Sequence, residues 1–245
     1  MPPAVTVVLP AHNEAEMLEE SVRDVATGLR ERGRPFEIVV VENGSADDTA
    51  AIANRLAGDY PEVRALSLAE PDYGRALRAG LLAASGDVVV NFDVDFCDLG
   101  FLDRAVPMVE APDGPAVVVG SKRSAGSDDT RAWQRRLVTG VFSSLLRYGF
   151  GLTVSDTHGV KAMRREAVAP LARHCRNGAD LFDTELILRA ERAGLRAAEI
   201  PVEVVEKRPA RSSIGARIPR TVKGLLALRL ALWRERLPGG KPAVM

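Results

Sequence analysis

Short apolar runs alternate with amphipathic stretches along the first half of the chain. Each run is bounded by polar or turn-forming residues, which is the pattern of a buried strand. The runs assigned to strands are 5–9, 36–41, 64–68, 87–92 and 116–120. Between the first two, Leu18, Val22, Val25 and Leu29 recur at helical spacing, and that helix is predicted to end at Gly33. Strands alternating with helices predict parallel βαβ units, with helices on both faces of one sheet.

Capping residues predict where the next helices begin. Asn13 with Glu16 three residues later is the pattern of a capping box. Ser45 and Asp48 are suited to cap a second helix, and a third helix is predicted at 75–84.

The alternation weakens in the second half of the chain. The elements predicted there are helices at 133–148, 165–173, 184–193 and 219–236, and strands at 159–163 and 197–205. Because the sequence shows no internal repeat and no linker, we predict a single domain.

Composition indicates an ordinary globular protein, and its charges are distributed unevenly along the chain. A chain of 245 residues with 46% hydrophobic residues is large enough to bury a core. Two cysteines do not make a disulfide framework, which favours a reducing compartment, and no apolar stretch is long enough to span a membrane. Residues 207–245 carry ten Lys/Arg and one acid, a net charge of +9, so the first 206 residues carry −9. Such a basic tail predicts contact with an anionic surface.

Polar clusters follow three of the predicted strands, at 10–14, 42–48 and 93–98. The carboxyl ends of parallel strands meet at one edge of a sheet, where ligands bind in this fold class. The clusters are therefore expected to form one site. Within it Asp93 and Asp95 are two residues apart, so in extended chain their carboxylates point the same way.

Oxygen ligands in this arrangement suit Mg²⁺ or Mn²⁺, and such a cation can neutralise a diphosphate leaving group. The alternative is a solvated turn with two acids. Glu42 is suited to hydrogen-bond ribose or a base, although Gly44 and Ser45 would equally form a capped turn there. His12 is either a ligand contact or a partly exposed loop histidine.

Further motifs follow one another in order along residues 5–213. They are Pro10-Ala11-His12-Asn13-Glu14, Glu42-Asn43-Gly44-Ser45, Tyr73-Gly74-Arg75-Ala76-Leu77-Arg78-Ala79-Gly80, Asp93-Val94-Asp95, Ser155-Asp156-Thr157-His158-Gly159-Val160-Lys161, Phe182-Asp183-Thr184-Glu185 and Glu199-Ile200-Pro201-Val202. In this order they resemble the motifs of family 2 glycosyltransferases. Within that family they are most similar to dolichyl-phosphate mannosyltransferases and related polyprenyl-phosphate sugar transferases.

The resemblance implies a GT-A type nucleotide-sugar-binding α/β fold, with a mostly parallel central sheet flanked by helices and a C-terminal amphipathic helix. It implies metal-dependent, inverting transfer of a sugar from GDP-mannose or a UDP-hexose to a polyprenyl phosphate. Residues 1–120 would form the nucleotide-sugar half, 121–218 the acceptor half and 219–236 the helix. The enzyme would be cytoplasmic and peripheral at the inner face of the membrane, with no nucleic acid partner.

The resemblance also implies roles for individual residues. Those implied to contact the nucleotide sugar are Pro10, His12, Glu14, Glu42, Asp93, Val94, Asp95 and Arg208. Those implied to contact the acceptor phosphate are Lys122, Arg135 and Thr139. Mg²⁺ or Mn²⁺ would be held by Asp93 and Asp95, and the candidate catalytic residues are Asp95, Asp183 and Glu185.

The sequence departs from the family pattern at several positions. The paired acids after the second strand are Glu42 and Asn43, which affects base or ribose contacts. Cys97 stands where a Gln can follow the metal motif, and Arg211 and Ile214 replace a Gly and a Lys of a late motif. These departures concern the identity of the donor.

The type of acceptor decides whether a base is needed. A polyprenyl phosphate oxygen is already ionised near neutral pH, so positioning and charge screening would suffice. An alcohol acceptor would need a general base, for which Asp183 or Glu185 is the candidate. Each of these acids is equally plausible as a helix N-terminal residue.

Other functions fit the sequence less well. A family 2 transferase with a soluble hydroxyl acceptor, or a non-catalytic nucleotide-sugar-binding protein, would share the fold. A nucleotidyltransferase is disfavoured, because no Gly-rich phosphate loop with a Lys follows the first strand. The intact Asp93 and Asp95 pair argues against a non-catalytic protein.

The final helix carries a basic face and an apolar stripe, with Pro219 suited to its first turn. The stripe consists of Val222, Leu225, Leu226, Leu230 and Trp233. A basic amphipathic helix with Trp can lie in the lipid headgroup region, or the same stripe can pack on the core.

Overall fold

The computed structural model describes residues 3–121, 146–147, 149–154, 156–176, 178, 181–202 and 214–234, the last helix with side chains for 222–233 only. The strands are β1 (Val5–Ala11), β2 (Phe36–Asn43), β3 (Val63–Leu68), β4 (Val88–Asn91), β5 (Val117–Ser121), β6 (Lys161–Arg164) and β7 (Ala197–Pro201). The helices are α1 (Leu18–Glu31), α2 (Thr49–Asp59), α3 (Tyr73–Ala83), α4 (Leu99–Glu110), α5 (Arg165–His174), α6 (Phe182–Arg192) and α7 (Ile214–Arg234).

The strands form one sheet in the order β3-β2-β1-β4-β6-β5-β7. All neighbours are parallel except β6, which is antiparallel to both β4 and β5. The chain runs outward from β1 to β3 and then returns to the other side of β1 as β4. The carboxyl ends of β1 and β4 therefore flank a topological switch point, the place where open α/β sheets bind ligands.

Helices cover both faces of the sheet, as predicted, and each face has its own apolar core. One core packs side chains of α1, α2 and α4 against the sheet, including the predicted stripe Leu18, Val22, Val25 and Leu29. The other packs α3, α5, α6 and α7 against the opposite face. With both faces covered, the uniformly apolar runs of the parallel strands are explained.

Several local features differ from those predicted. Helix α4 was not predicted, although Asp98 caps it by accepting a hydrogen bond from the Phe101 amide at 2.8 Å. The capping box was wrong: α1 begins at Leu18 without a side-chain cap, and Asn13 has φ of 55° and bonds elsewhere. Helix α7 begins at Ile214, before the predicted start. Most of the helix predicted at 133–148 lies outside the described residues.

The amino-terminal edge of the sheet is held by one buried carboxylate. Oε1 of Glu37 accepts hydrogen bonds from the Thr6 hydroxyl at 2.7 Å and from the Ser85 amide and hydroxyl at 2.6 Å each. Oε2 lies 2.9 Å from the Arg64 guanidinium. These bonds join β1, β2, β3 and the turn before β4 at the edge opposite the strand ends that carry the polar clusters.

Candidate active site

The loops after β1 and β2 interlock at the carboxyl edge of the sheet. His12 Nδ1 lies 2.8 Å from the Asn43 carbonyl oxygen. The Asn13 side-chain oxygen accepts from the Ala46 amide at 2.8 Å, and the Asn13 amide donates to the Ser45 hydroxyl at 3.1 Å. The short amide side chain of Asn13 tolerates the left-handed backbone that brings these groups together. The two predicted polar clusters are thus one structural unit.

Glu42 is buried within its own turn, and one of its oxygens accepts from the Ser45 amide at 2.6 Å. Gly44 has φ of +62°, and a Cβ there would lie 2.8 Å from the Pro71 nitrogen. The capped turn anticipated at these residues is therefore present. The contact of Glu42 with a nucleotide stays a prediction, as do the contacts of Pro10, His12 and Glu14.

Asp93 is anchored by the first turn of α3. The Tyr73 hydroxyl donates to Asp93 Oδ1 at 2.9 Å, and Asp72 caps the helix by accepting from the Arg75 amide at 2.9 Å. Burial and the Asp93 carboxylate raise the pKa of Tyr73 well above its ordinary value. The Tyr73 hydroxyl therefore stays protonated and acts as a donor.

The turn that carries Asp93 and Asp95 is fixed between them. Val94 is buried, and its carbonyl oxygen accepts from the Ser21 hydroxyl at 2.5 Å, while the Phe96 amide donates to the Asp93 carbonyl at 2.9 Å. Asp93 and Asp95, on either side of this anchored residue, are each half-buried. The sequence fragment predicted to bind a cation is thus held rigidly at the end of β4.

A third carboxylate and a lysine complete the cluster. Lys161 Nζ lies 3.0 Å from Asp183 Oδ1, and both side chains are buried. Burial raises the pKa of Asp93, and the Tyr73 hydrogen bond opposes this. The charges of Asp95 and Asp183 also raise this pKa, whereas the charge of Lys161 lowers it. The charges of Asp95, Asp183 and Lys161 thus all act on Asp93, and Lys161 pairs directly with Asp183.

The two candidate bases of α6 have different surroundings. Glu185 forms a buried ion pair with Arg189, with Arg189 Nη2 at 2.8 Å from Glu185 Oε1, and accepts from the Arg176 amide at 3.0 Å. Asp183 instead joins the aspartate cluster through Lys161. The structure therefore brings only Asp183 together with Asp93 and Asp95.

Sequence reasoning gave no role to Tyr73, Asn91 or Lys161. Tyr73 and Lys161 lie within quoted motifs, which was the available signal. Asn91 ends β4, faces Lys161 in register on β6, and its Oδ1 is the one buried side-chain N or O atom without a partner among the residues that the structure describes.

These groups fit a hard divalent cation. The carboxylates of Asp93 and Asp95 and the unpaired Asn91 oxygen are all oxygen donors, the ligand type that Mg²⁺ and Mn²⁺ prefer. Within the described ranges, no group of three or more His, Cys, Asp or Glu side chains is arranged to hold a metal. The predicted contacts Lys122, Arg135, Thr139 and Arg208 lie outside those ranges.

Helix α7 has two apolar faces. Leu225, Leu228 and Leu232 are buried in the core that also contains α3, α5 and α6. The other apolar side chains remain exposed, namely Val222 at 50%, Leu226 at 65%, Leu230 at 46% and Trp233 at 58%. The predicted stripe is thus divided, with Leu225 on the core side. In the part of the chain described, no helix is long and apolar enough to cross a membrane.

The sequence matches known glycosyltransferases. The family model Glycosyl transferase family 2 matches residues 6–171. Glycosyltransferase AglD of Haloferax volcanii is 34% identical over 205 residues, which are 81% of this chain and 32% of AglD. The undecaprenyl-phosphate 4-deoxy-4-formamido-L-arabinose transferase of Edwardsiella ictaluri is 30% identical over 86% of this chain and 63% of its own. The chain thus spans less than two thirds of either relative.

Solved structures show the same architecture. Glucosyl-3-phosphoglycerate synthase of Mycobacterium tuberculosis, solved with Mn²⁺, UDP-glucose and phosphoglyceric acid, superposes with a TM-score of 0.67 at 25% identity. The superposition covers 94% of this chain and 79% of the synthase. The α/β fold with its mostly parallel central sheet is therefore of the GT-A type, as predicted.

Proposed function

Because the chain belongs to glycosyltransferase family 2, we propose that it transfers a hexose from a nucleotide sugar to a polyprenyl phosphate, with inversion at the anomeric carbon. The observation that carries this proposal is the aspartate cluster at the switch point of the sheet. Asp93 and Asp95 lie at the end of β4, with Asp93 held by Tyr73 and Asp183 held by Lys161.

For the donor site, we assign the nucleotide to the interlocked loops after β1 and β2. Pro10, His12 and Glu14 would line it, with Glu42 near the ribose or base. The donor is GDP-mannose or a UDP-hexose, and the structurally similar synthase was solved with UDP-glucose.

Asp93 and Asp95 would hold Mg²⁺ or Mn²⁺, which when bound supplies positive charge opposite the diphosphate leaving group. The chain's own part is to fix these carboxylates before substrate arrives. Tyr73 restrains Asp93 from α3, and the buried Val94 restrains the turn between the two acids. Preorganised charge of this kind needs no rearrangement during the reaction.

For the acceptor, the similarity to the undecaprenyl-phosphate transferase of Edwardsiella ictaluri supports an anionic oxygen nucleophile. A phosphate oxygen is ionised at neutral pH, so no general base is required. The protein must instead bring two anions together, and Lys122, Arg135 and Thr139 are assigned to the acceptor phosphate. Arg208 is assigned to the donor diphosphate. Arginine is suited to such roles because its guanidinium forks onto phosphate oxygens.

A soluble acceptor is the second candidate. The similar synthase was crystallised with phosphoglyceric acid, which supports a small acceptor on the same fold. In that case Asp183, the candidate base that lies with the aspartate cluster, would be the group that accepts the hydroxyl proton.

A lipid acceptor would place the protein at a membrane surface, which we assign to the inner face. The outward face of α7 supports this, because Val222, Leu226, Leu230 and Trp233 are exposed beside Lys223 and Arg229. An apolar face with Trp and flanking cations is suited to the headgroup region of anionic lipid.

A radiolabelled transfer assay separates these candidates. Purified protein is incubated with GDP-mannose or UDP-glucose, with Mg²⁺ or Mn²⁺, and with either a short polyprenyl phosphate or 3-phosphoglycerate. The proposal expects label in the lipid phosphate and its loss in Asp95→Asn. Label only in 3-phosphoglycerate would contradict it and establish the second candidate.

A further inference from the structure

Lys161 is a buried charge that the proposed chemistry has not used. Its side chain is fully buried on β6, where an unpaired ammonium would cost several kcal/mol. Two of its three N–H groups are satisfied, by Asp183 at 3.0 Å and by the Gly159 carbonyl at 2.6 Å. Asn91, its registered neighbour on β4, adds a buried oxygen without a partner among the described residues. Apolar packing does not explain why a lysine and an amide oxygen are buried together here.

The charges around Lys161 supply that reason. Asp93, Asp95 and Asp183 carry three negative charges, and Lys161 carries one positive charge. The cluster therefore has a net charge of −2, which a single divalent cation neutralises. Without Lys161 the cluster would carry −3, and Asp183 would have lost the partner that fixes its carboxylate.

A second buried ion pair that involves α6 provides a comparison for the Lys161–Asp183 pair. Arg189 and Glu185 are also buried and paired at 2.8 Å. Glu185 of that pair also accepts a hydrogen bond from the Arg176 amide and its charge acts on Cys175. The charges that act on Asp93 include those of Lys161 and Asp183. Helix α6 thus contributes an acid to two buried ion pairs, one within the helix and one with Lys161 of β6.

We propose that Lys161 is a positioning residue that holds the Asp183 carboxylate beside Asp93 and sets the charge of the aspartate cluster to match one divalent cation. This inference rests on the proposed function, because it presumes that Asp93 and Asp95 bind the cation. In it Lys161 does not touch substrate and acts through Asp183. Its ammonium keeps Asp183 bound to the protein and out of the cation's ligand set.

The inference predicts an order of Mn²⁺ affinities that follows the cluster charge. Lys161→Met changes the charge to −3 and should tighten Mn²⁺ binding on the order of tenfold, since one nearby charge shifts ion binding by about that factor. Asp183→Asn changes it to −1 and should weaken binding on the order of tenfold. The double variant restores −2 and should bind like the wild type.

Mn²⁺ titration at pH 7.5, followed by the electron paramagnetic resonance signal of the free ion, measures this order. Arg189→Met is the matched control, because it breaks a buried pair of the same helix. It should lose unfolding free energy, as Lys161→Met does, with no change in Mn²⁺ affinity. If Lys161→Met does not fold, the double variant still isolates Lys161, because it should bind about tenfold more tightly than Asp183→Asn.

Turnover adds an independent readout. Lys161→Met should lower kcat more than it raises KM for the donor, with no further loss of kcat when Asp183 is already Asn. Mn²⁺ binding by Lys161→Met that equals or falls below the wild-type affinity would overturn the inference, as would an equal effect of Arg189→Met. The Mn²⁺ order does not require an acceptor, so failure of transfer to polyprenyl phosphate would refute the proposed function without deciding the role of Lys161.

Discussion

The hydrogen bond from Tyr73 to Asp93 gives a sharp test of the proposed cation site. Tyr73→Phe removes one oxygen atom and leaves the ring, so the packing of α3 on the sheet is conserved. The Tyr73 hydroxyl lies 2.9 Å from Asp93 Oδ1. Its loss removes a bond that restrains the orientation of the Asp93 carboxylate.

The size of the effect follows from the type of bond. A hydrogen bond to a charged group contributes about 1.5–3 kcal/mol, and Asp93 is partly exposed, which favours the lower value. Removing a group that orients a metal ligand costs about 10–100-fold in affinity. We therefore expect Mn²⁺ to bind Tyr73→Phe about tenfold more weakly.

The effect has a definite direction with pH. The Tyr73 hydrogen bond lowers the pKa of Asp93 against the raising effect of burial. Without that bond the pKa rises further, so protons compete with the cation from a higher pH. The acidic limb of kcat/KM should therefore move to higher pH in Tyr73→Phe.

The assay measures Mn²⁺ affinity by titration and kcat/KM against pH, with Tyr60→Phe as the control. Tyr60 follows α2, and the centre of its ring lies 5.5 Å from the Arg30 guanidinium carbon. That control loses a hydroxyl at a tyrosine remote from Asp93. The reasoning is refuted if Tyr73→Phe and Tyr60→Phe bind Mn²⁺ equally well and share one pH profile.

Three further predictions concern the site, the sheet and α7. Asp95→Ala should abolish transfer with the fold retained, and wild-type turnover with unchanged metal affinity would contradict the metal assignment. Hydrogen bonds lower the pKa of Glu37 despite burial. Glu37→Gln should therefore lose about 2 kcal/mol of unfolding free energy at pH 7, measured by chemical denaturation. The difference between the variant and the wild type should shrink below pH ~4, where Glu37 becomes protonated in the wild type. The double variant Leu226→Ser, Trp233→Ser should weaken binding to anionic liposomes at unchanged Tm, whereas Leu228→Ser should lower Tm. Liposome binding that the double variant leaves unchanged would exclude the exposed face of α7 as the membrane contact.

The parallel part of the fold was predictable because its signals are local. Strands covered on both faces appear as uniform apolar runs, and polar residues begin where each run leaves the core. Asp93 directly follows such a run, so its place at the sheet edge required no long-range information. Helix α4 was not predicted, although Asp98 as a cap and the helical spacing of Phe101, Ala105 and Val109 indicate it. Pro107 lies inside that helix, and a proline usually argues against a helix interior.

Pairing between distant strands was not predictable in the same way. Strand β6 inserts antiparallel between β4 and β5, and this places Lys161 opposite Asn91. The two residues are far apart in sequence, and the run at 159–163 shows no sign of its direction. The polar environment of Lys161 therefore required the three-dimensional structure.

Helix geometry shows why only one of the two candidate bases can belong to the site. Side chains two positions apart on a helix differ in direction by about 200°. Asp183 and Glu185 are both in the first turn of α6, so they cannot both face the end of β4. The helix predicted at 184–193 left Asp183 outside it, so the sequence analysis kept both acids as candidate bases. The choice depends on the basic side chain with which each acid forms an ion pair. Asp183 pairs with Lys161 of β6, and Glu185 pairs with Arg189, one turn further along α6. An acid paired within its own helix stabilises that helix, whereas one paired to the inserted strand joins α6 to the sheet beside the end of β4.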